Sequence, residues 1–133
     1  MRRDSFQVAI TEVLEGHGRL ASFERAMENG SEFHLRLDKE NYLPLVIEVI
    51  GENRVAVTHY REQNGDLIQD PEIVFQAMAG RWWPIEITQV WGYRSKHIIK
   101  DGQRYVDTRF HDEVSSFANM WARNIRGQRW AGR

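Results

Sequence analysis

The stretch HYREQNGDLIQDPE, residues 59 to 72, holds the densest set of side chains able to do chemistry. Asp66, Asp70 and Glu72 offer the oxygen ligands that Mg²⁺, Mn²⁺ or Ca²⁺ require, and His59 adds a further ligand or a general base. Gathered at one point, they would support metal-assisted hydrolysis of a phosphodiester. The same residue types also build a turn, because Asn and Asp bond to nearby backbone and an edge histidine finds a partner. The spacing matches no EF-hand, and no HExxH is present. A divalent cation is therefore the one cofactor these residues admit; otherwise none is expected.

The flanking elements decide how these side chains are presented. RVAVTHY alternates, so Val55, Val57 and His59 share a face opposite Ala56, Thr58 and Tyr60. Asn64-Gly65 is a hairpin signal, since both residues tolerate positive φ. A simple two-residue turn pairing Gln63 with Asp66 would set Asp70 opposite His59 and Glu72 opposite Val57. That would drive two carboxylates onto an apolar face, at a cost of several kcal/mol. One bulge residue at Asp70-Pro71 repairs the register, setting Ile73 opposite Val57 and Phe75 opposite Val55. The expected functional loop is thus His59, Tyr60, Glu62, Gln63, Asn64, Gly65, Asp66, Asp70, Pro71 and Glu72, gathered near one end of a sheet.

The rest of the chain reads as helix, helix, strands, helix. Asp4 or Ser5 can cap a first helix carrying Phe6, Ile10, Val13 and Leu14, which Gly16 and Gly18 end. Leu20, Phe23 and Met27 mark a second helix up to Asn29-Gly30. Strands are expected at EFHLRLD, LPLVIEVI (43–50), RVAVTHY, EIVFQAM (72–78) and WWPIEITQVW (82–91), followed by a hairpin with Asp101-Gly102 at its tip. Phe110, Val114, Phe117, Trp121 and Ile125 form the stripe of a last amphipathic helix. These imply one α+β domain: a helical segment over 1–30, an antiparallel, meander-like sheet of five to six strands over 32–107, and a helix over 109–127, with the helices on one face.

At 133 residues, with 41% hydrophobic and 28% charged residues, the chain can bury a core of its own. It has no cysteine, which excludes disulfides, thiolate metal sites and Cys nucleophiles. The opening MRRDSFQVAITEVLEG carries Glu12 and Glu15 among its apolar residues and is not expected to be a signal peptide. No stretch approaches a membrane span, so a cytoplasmic setting is expected. The net charge of −1 conceals a split. Residues 1–79 hold 8 Lys/Arg against 14 Asp/Glu, and residues 80–133 hold 10 against 5.

HYREQNGDLIQDPEIVF, preceded by LPLVIEVIGENRVAV, resembles the core signature of a family of small uncharacterised proteins carried by plasmids, phages and integrative elements. Its form is His-Tyr, then Gln-Asn-Gly-Asp, then Asp-Pro-Glu and a hydrophobic strand. The closing FANMWARNIRGQRW is similar to that family's last helix, with its Trp-Ala-Arg-Asn core followed by Gln. The likeness spans residues 33 to 130. It implies a compact domain and a mobile-element origin, and it implies no activity. WWPIEITQVWGYRSK is richer in Trp than the family pattern and marks a surface particular to this member.

Three functions compete. A non-enzymatic protein-binding or regulatory module would use the acidic stretch from Glu62 to Glu72 to steer a basic partner, with Trp82 or Trp130, if exposed, as anchors. Its partner would be a host or mobile-element protein, and the chain a monomer or homodimer. A divalent-metal-dependent hydrolase would use His59, Asp66, Asp70 and Glu72. A nucleic-acid binder would use Trp82, Trp83, Trp91, Tyr93, Arg94 and Lys96 with Arg123, Arg126, Arg129 and Arg133, although no recognisable nucleic-acid motif is present. Trp83, Ile85, Ile87 and Trp91 alternate as one core-facing strand face, and arginines in a last helical turn answer to the helix dipole. Ser115-Ser116 lacks a nucleophile elbow, no phosphate-binding glycine loop occurs, and His17, His34, His97 and His111 show no ligand spacing.

Overall fold

The computed structural model describes residues 5–132. Asp4 and Arg133 lie outside the described residues. The order is α1 (Ser5–Gly16), α2 (Leu20–Asn29), β1 (Phe33–Leu37), β2 (Leu45–Gly51), β3 (Arg54–Gln63), β4 (Asp66–Met78), β5 (Arg81–Gln89), β6 (Gly92–Ser95), β7 (His97–Lys100), β8 (Gln103–Val106) and α3 (Phe110–Gly127). Strands β1 to β6 form one antiparallel meander in chain order, and β7–β8 form a separate two-stranded arm. It is a single α+β domain with helices at both ends of the chain.

One face of the meander carries the core. Leu45, Ile47, Val49, Val55, Val57, Ile73, Phe75 and Ile87 alternate onto it and meet Phe6, Ile10, Leu14, Phe23, Phe110, Val114, Trp121 and Ile125 from the three helices. Each large apolar side chain buried there contributes about 1.5–3 kcal/mol. Rings fill the centre: Phe6 stacks on Phe75 at 5.2 Å, and Trp121 lies 5.0 Å from Phe6. The opposite face carries a small buried cluster, Ala56, Val74 and Ile85, and also buries Val46 and Thr58.

The expected β3–β4 register is the one observed. Gln63 pairs with Asp66, Val57 with Ile73 and Val55 with Phe75, and the register shifts between Thr58 and Tyr60 opposite Asp70-Pro71. That peptide bond is cis. Asn64 and Gly65 both have positive φ, as the tight turn requires. Gly30 takes the left-handed conformation that ends α2.

Four expectations need correction. The sheet ends at Ser95, because Ser95 Oγ accepts from His97 N–H and donates to the His97 carbonyl, pinning a bend that sends β7–β8 away as an arm. The strand expected over 82–91 stops at Gln89, and Val90-Trp91 turn the chain back into β6. Pro84 pairs with Phe75 and Glu86 with Val74, so a bulge falls between them. Proline supplies no ladder donor and is accommodated at such bulges. The bulge breaks the alternation: Trp82 and Ile87 enter the main core, Ile85 joins the small outer cluster, and Trp91 is exposed, so they do not form one face with Trp83. Ser5 lies inside α1 rather than ahead of it, and its hydroxyl donates to Asn119 Oδ1 on α3.

Candidate functional site

The hairpin from His59 to Glu72 projects from the end of the sheet, but its chemistry-bearing side chains go to different places. The face alternation that buries Val55 and Val57 also turns His59 inward. Its ring lies 5.4 Å from Trp121 and 5.8 Å from Trp130, and Nδ1 donates to the Pro44 carbonyl at 3.1 Å. Burial pushes the imidazole below its ordinary pKa, only partly offset by backbone bonds to Pro44 and Leu43. Glu72 faces the other way, accepting from Thr58 Oγ1 at 2.9 Å. Beside it, burial raises the Tyr60 phenol, helped by the charges of Glu72 and Glu48.

Asp70 is the structural carboxylate of the group. Its Oδ1 accepts the Val90 backbone N–H at 3.2 Å, and Arg61 stands 3.8 Å away. Glu62, Asn64, Gly65 and Asp66 are exposed at the tip, and Pro71 is half-buried. Among the described residues, no group of three or more His, Cys, Asp or Glu side chains could hold a metal ion. The bulge explains the separation, since His59 and Glu72 leave the strands on opposite faces.

The hydrogen bond from Val90 to Asp70 has a second effect. It ties the acidic hairpin to the β5–β6 turn, where Trp91 is 77% exposed. Leu67 on the hairpin is 63% exposed. The two tryptophans expected as anchors are elsewhere: Trp82 is 7% exposed against Phe23 and Phe75, and Trp130 is 3% exposed. Neither offers a ring to a partner. The sequence signal that distinguishes Trp91 is local, because Trp91-Gly92 follows a strand and Gly92 adopts φ 148°.

The basic residues are also dispersed. Arg94 bonds Glu113 at 2.7 Å and Asp107 at 3.2 Å and lies over Phe110. Those bonds raise its pKa and hold the Asp107 carboxyl below its usual range. Arg126 pairs with Glu12 at 2.9 Å, beside Arg129 in a cavity of about 300 Å³ between α1 and the chain's last residues. Arg123 is exposed on α3, and Trp83 stacks with His111 and Arg81. Lys96 lies apart, in a groove on the outer face with Arg54 and Arg104, two residues the sequence pattern did not single out.

The chain belongs to the family of a domain of unknown function, DUF6908, which matches residues 10–131. The match leaves out the first five residues of α1 and reaches past Trp130, so the helices and sheet are covered together. No curated protein and no solved structure matches the chain. Among the described residues, no helix is long and apolar enough to cross a membrane.

Proposed function

We propose that this chain is a non-enzymatic protein-binding or regulatory module, a cytoplasmic accessory protein of a mobile genetic element. Its binding surface is the end of the sheet where the acidic hairpin meets the β5–β6 turn. The observation that carries this reading is the Asp70–Val90 hydrogen bond, which ties the turn carrying the most exposed tryptophan among the described residues to the acidic hairpin. An exposed Trp91 on the turn tied to this hairpin, together with exposed Leu67, Glu62 and Asp66 on the hairpin itself, has the make-up of a hot spot with charged surroundings. It suits a basic partner, whose approach the carboxylates would steer. The mobile-element setting rests on the likeness of the His-Tyr to Asp-Pro-Glu signature.

Selection of displayed basic peptides on the immobilised chain tests this. Peptides enriched by the wild type should lose binding by about 2 kcal/mol with Trp91→Ala. Glu62→Lys with Asp66→Lys should chiefly slow association and remove its salt dependence. Equal binding by wild type and both variants would remove this surface from consideration.

A further inference from the structure

We propose that the groove on the outer face of the sheet, beside the β7–β8 arm, is a binding site for a small phosphate-bearing ligand. It lies away from the acidic hairpin and does not depend on the protein-binding reading. The groove encloses about 350 Å³, near the lower end of the range for small-molecule sites. Three cations line it, Arg54 from β3, Lys96 from the bend and Arg104 from β8, against a single carboxylate, Glu86.

The state of those charges is what points to an anion. Among the described residues, neither Lys96 nor Arg104 has a carboxylate within ion-pair distance. Arg54 donates through Nε to Gln76 Oε1 at 2.9 Å, which fixes its guanidinium while leaving the terminal nitrogens as donors. Glu86 is already engaged, accepting from the Tyr93 hydroxyl, a bond that raises the tyrosine's pKa. Like charges brought into one groove repel each other, and a bound dianion would relieve that repulsion.

The chemistry favours phosphate. Two planar guanidinium forks and an ammonium match its oxygens, and Arg presents its donors in the fork geometry that phosphate accepts in pairs. Ile85 supplies an apolar wall, buried with Ala56 and Val74, against which a neutral ligand body can rest. A long polyanion fits less well, because a nucleic acid needs a track of cations. Here Arg94 is committed to Glu113 and Asp107, and Arg126 to Glu12, outside the groove.

The test is an NMR titration of the full chain with inorganic phosphate, adenosine monophosphate and adenosine, at constant ionic strength set by chloride. Phosphate and the monophosphate should give saturable amide shifts confined to residues around 54, 76, 95–97 and 104, and adenosine should give none. Lys96→Gln with Arg104→Gln should weaken binding at least about tenfold, with an unchanged circular dichroism spectrum. Absence of saturable shifts would overturn the proposal, as would equal shifts with added chloride. Tighter binding of a single-stranded oligonucleotide, with a salt dependence of several phosphates, would replace it with a nucleic-acid surface.

Discussion

His59 shows how a residue with an obvious chemical reading acquires another one from its surroundings. Its place on the apolar face follows from the alternation of RVAVTHY, but the two indole rings that enclose it come from α3 and the chain beyond it. No local pattern places residues 121 and 130 beside residue 59. The consequence is a pH dependence. The unfolded chain takes up the imidazole proton near the ordinary value of 6.5, whereas burial makes the folded chain resist it. His59 therefore contributes stability that is fully present above about pH 6.5 and is lost as the pH falls below it, levelling off under the lowered folded value. Denaturant unfolding between pH 8 and pH 5 should show this loss. His59→Gln should flatten the curve over that interval, and an unchanged slope would place the dependence on another group.

The elements were legible where one residue pattern determines one geometry. Alternation, Asn-Gly, and the cost of burying two carboxylates together specified the bulged β3–β4 pairing. The 3.6-residue stripes specified α1, α2 and α3. WWPIEITQVW failed for a physical reason: its apolar residues alternate as if the strand were regular, and the bulge beside Pro84 reverses which of them face the core. Pro84 was the visible warning. The β7–β8 hairpin formed where Asp101-Gly102 placed its tip, but its departure from the main sheet was not legible, because Ile98 and Ile99 are adjacent and so point to opposite faces, both exposed. Gly16 shows the same limit at a helix end. It reads as a helix stop, yet a Cβ there would lie 2.1 Å from the Ala131 carbonyl oxygen, so glycine is needed for the chain's last residues to dock on α1. Gly16→Ala should cost about 1–3 kcal/mol through that overlap and open the segment after Gly127 to proteolysis. At Gly18 nothing lies within 4 Å of an added Cβ, so alanine there should leave that segment protected. Protection retained in both variants would refute the docking.

At the scale of the molecule, the two proposed surfaces sit at opposite ends of the β3–β4 pair. Gln63 and Asp66 close one end, and Arg54 pairs with Gln76 at the other. Nine steps of strand separate Gln63 from Arg54 by about 30 Å, whereas Trp91 lies only four residues from Ser95, so substitutions at the hairpin tip, Glu62 and Asp66, should leave the groove's binding unchanged. Coupling is expected instead through the core, along the segment that follows α3. Trp130 stands between His59 and Tyr42, donates through Nε1 to Gln128 at 2.8 Å, and its carbonyl meets His17 Nε2 at 2.7 Å. The last residues thus close the far side of the pocket that dries the imidazole. Trp130→Ala should cost about 3–5 kcal/mol, as loss of a buried Trp does. It should also let water reach His59, returning its pKa toward the ordinary value and removing the acid-side loss of stability. The measurement is a double-mutant cycle of Trp130→Ala and His59→Gln, with unfolding free energies taken at pH 7.5 and pH 5.5. The difference between the two pH values should be large in the wild type and small in both single variants, with no further decrease in the double variant. A full pH difference surviving in Trp130→Ala would mean that Trp121 and the sheet alone keep His59 dry, and that the closing segment is an anchor without influence on the site's protonation.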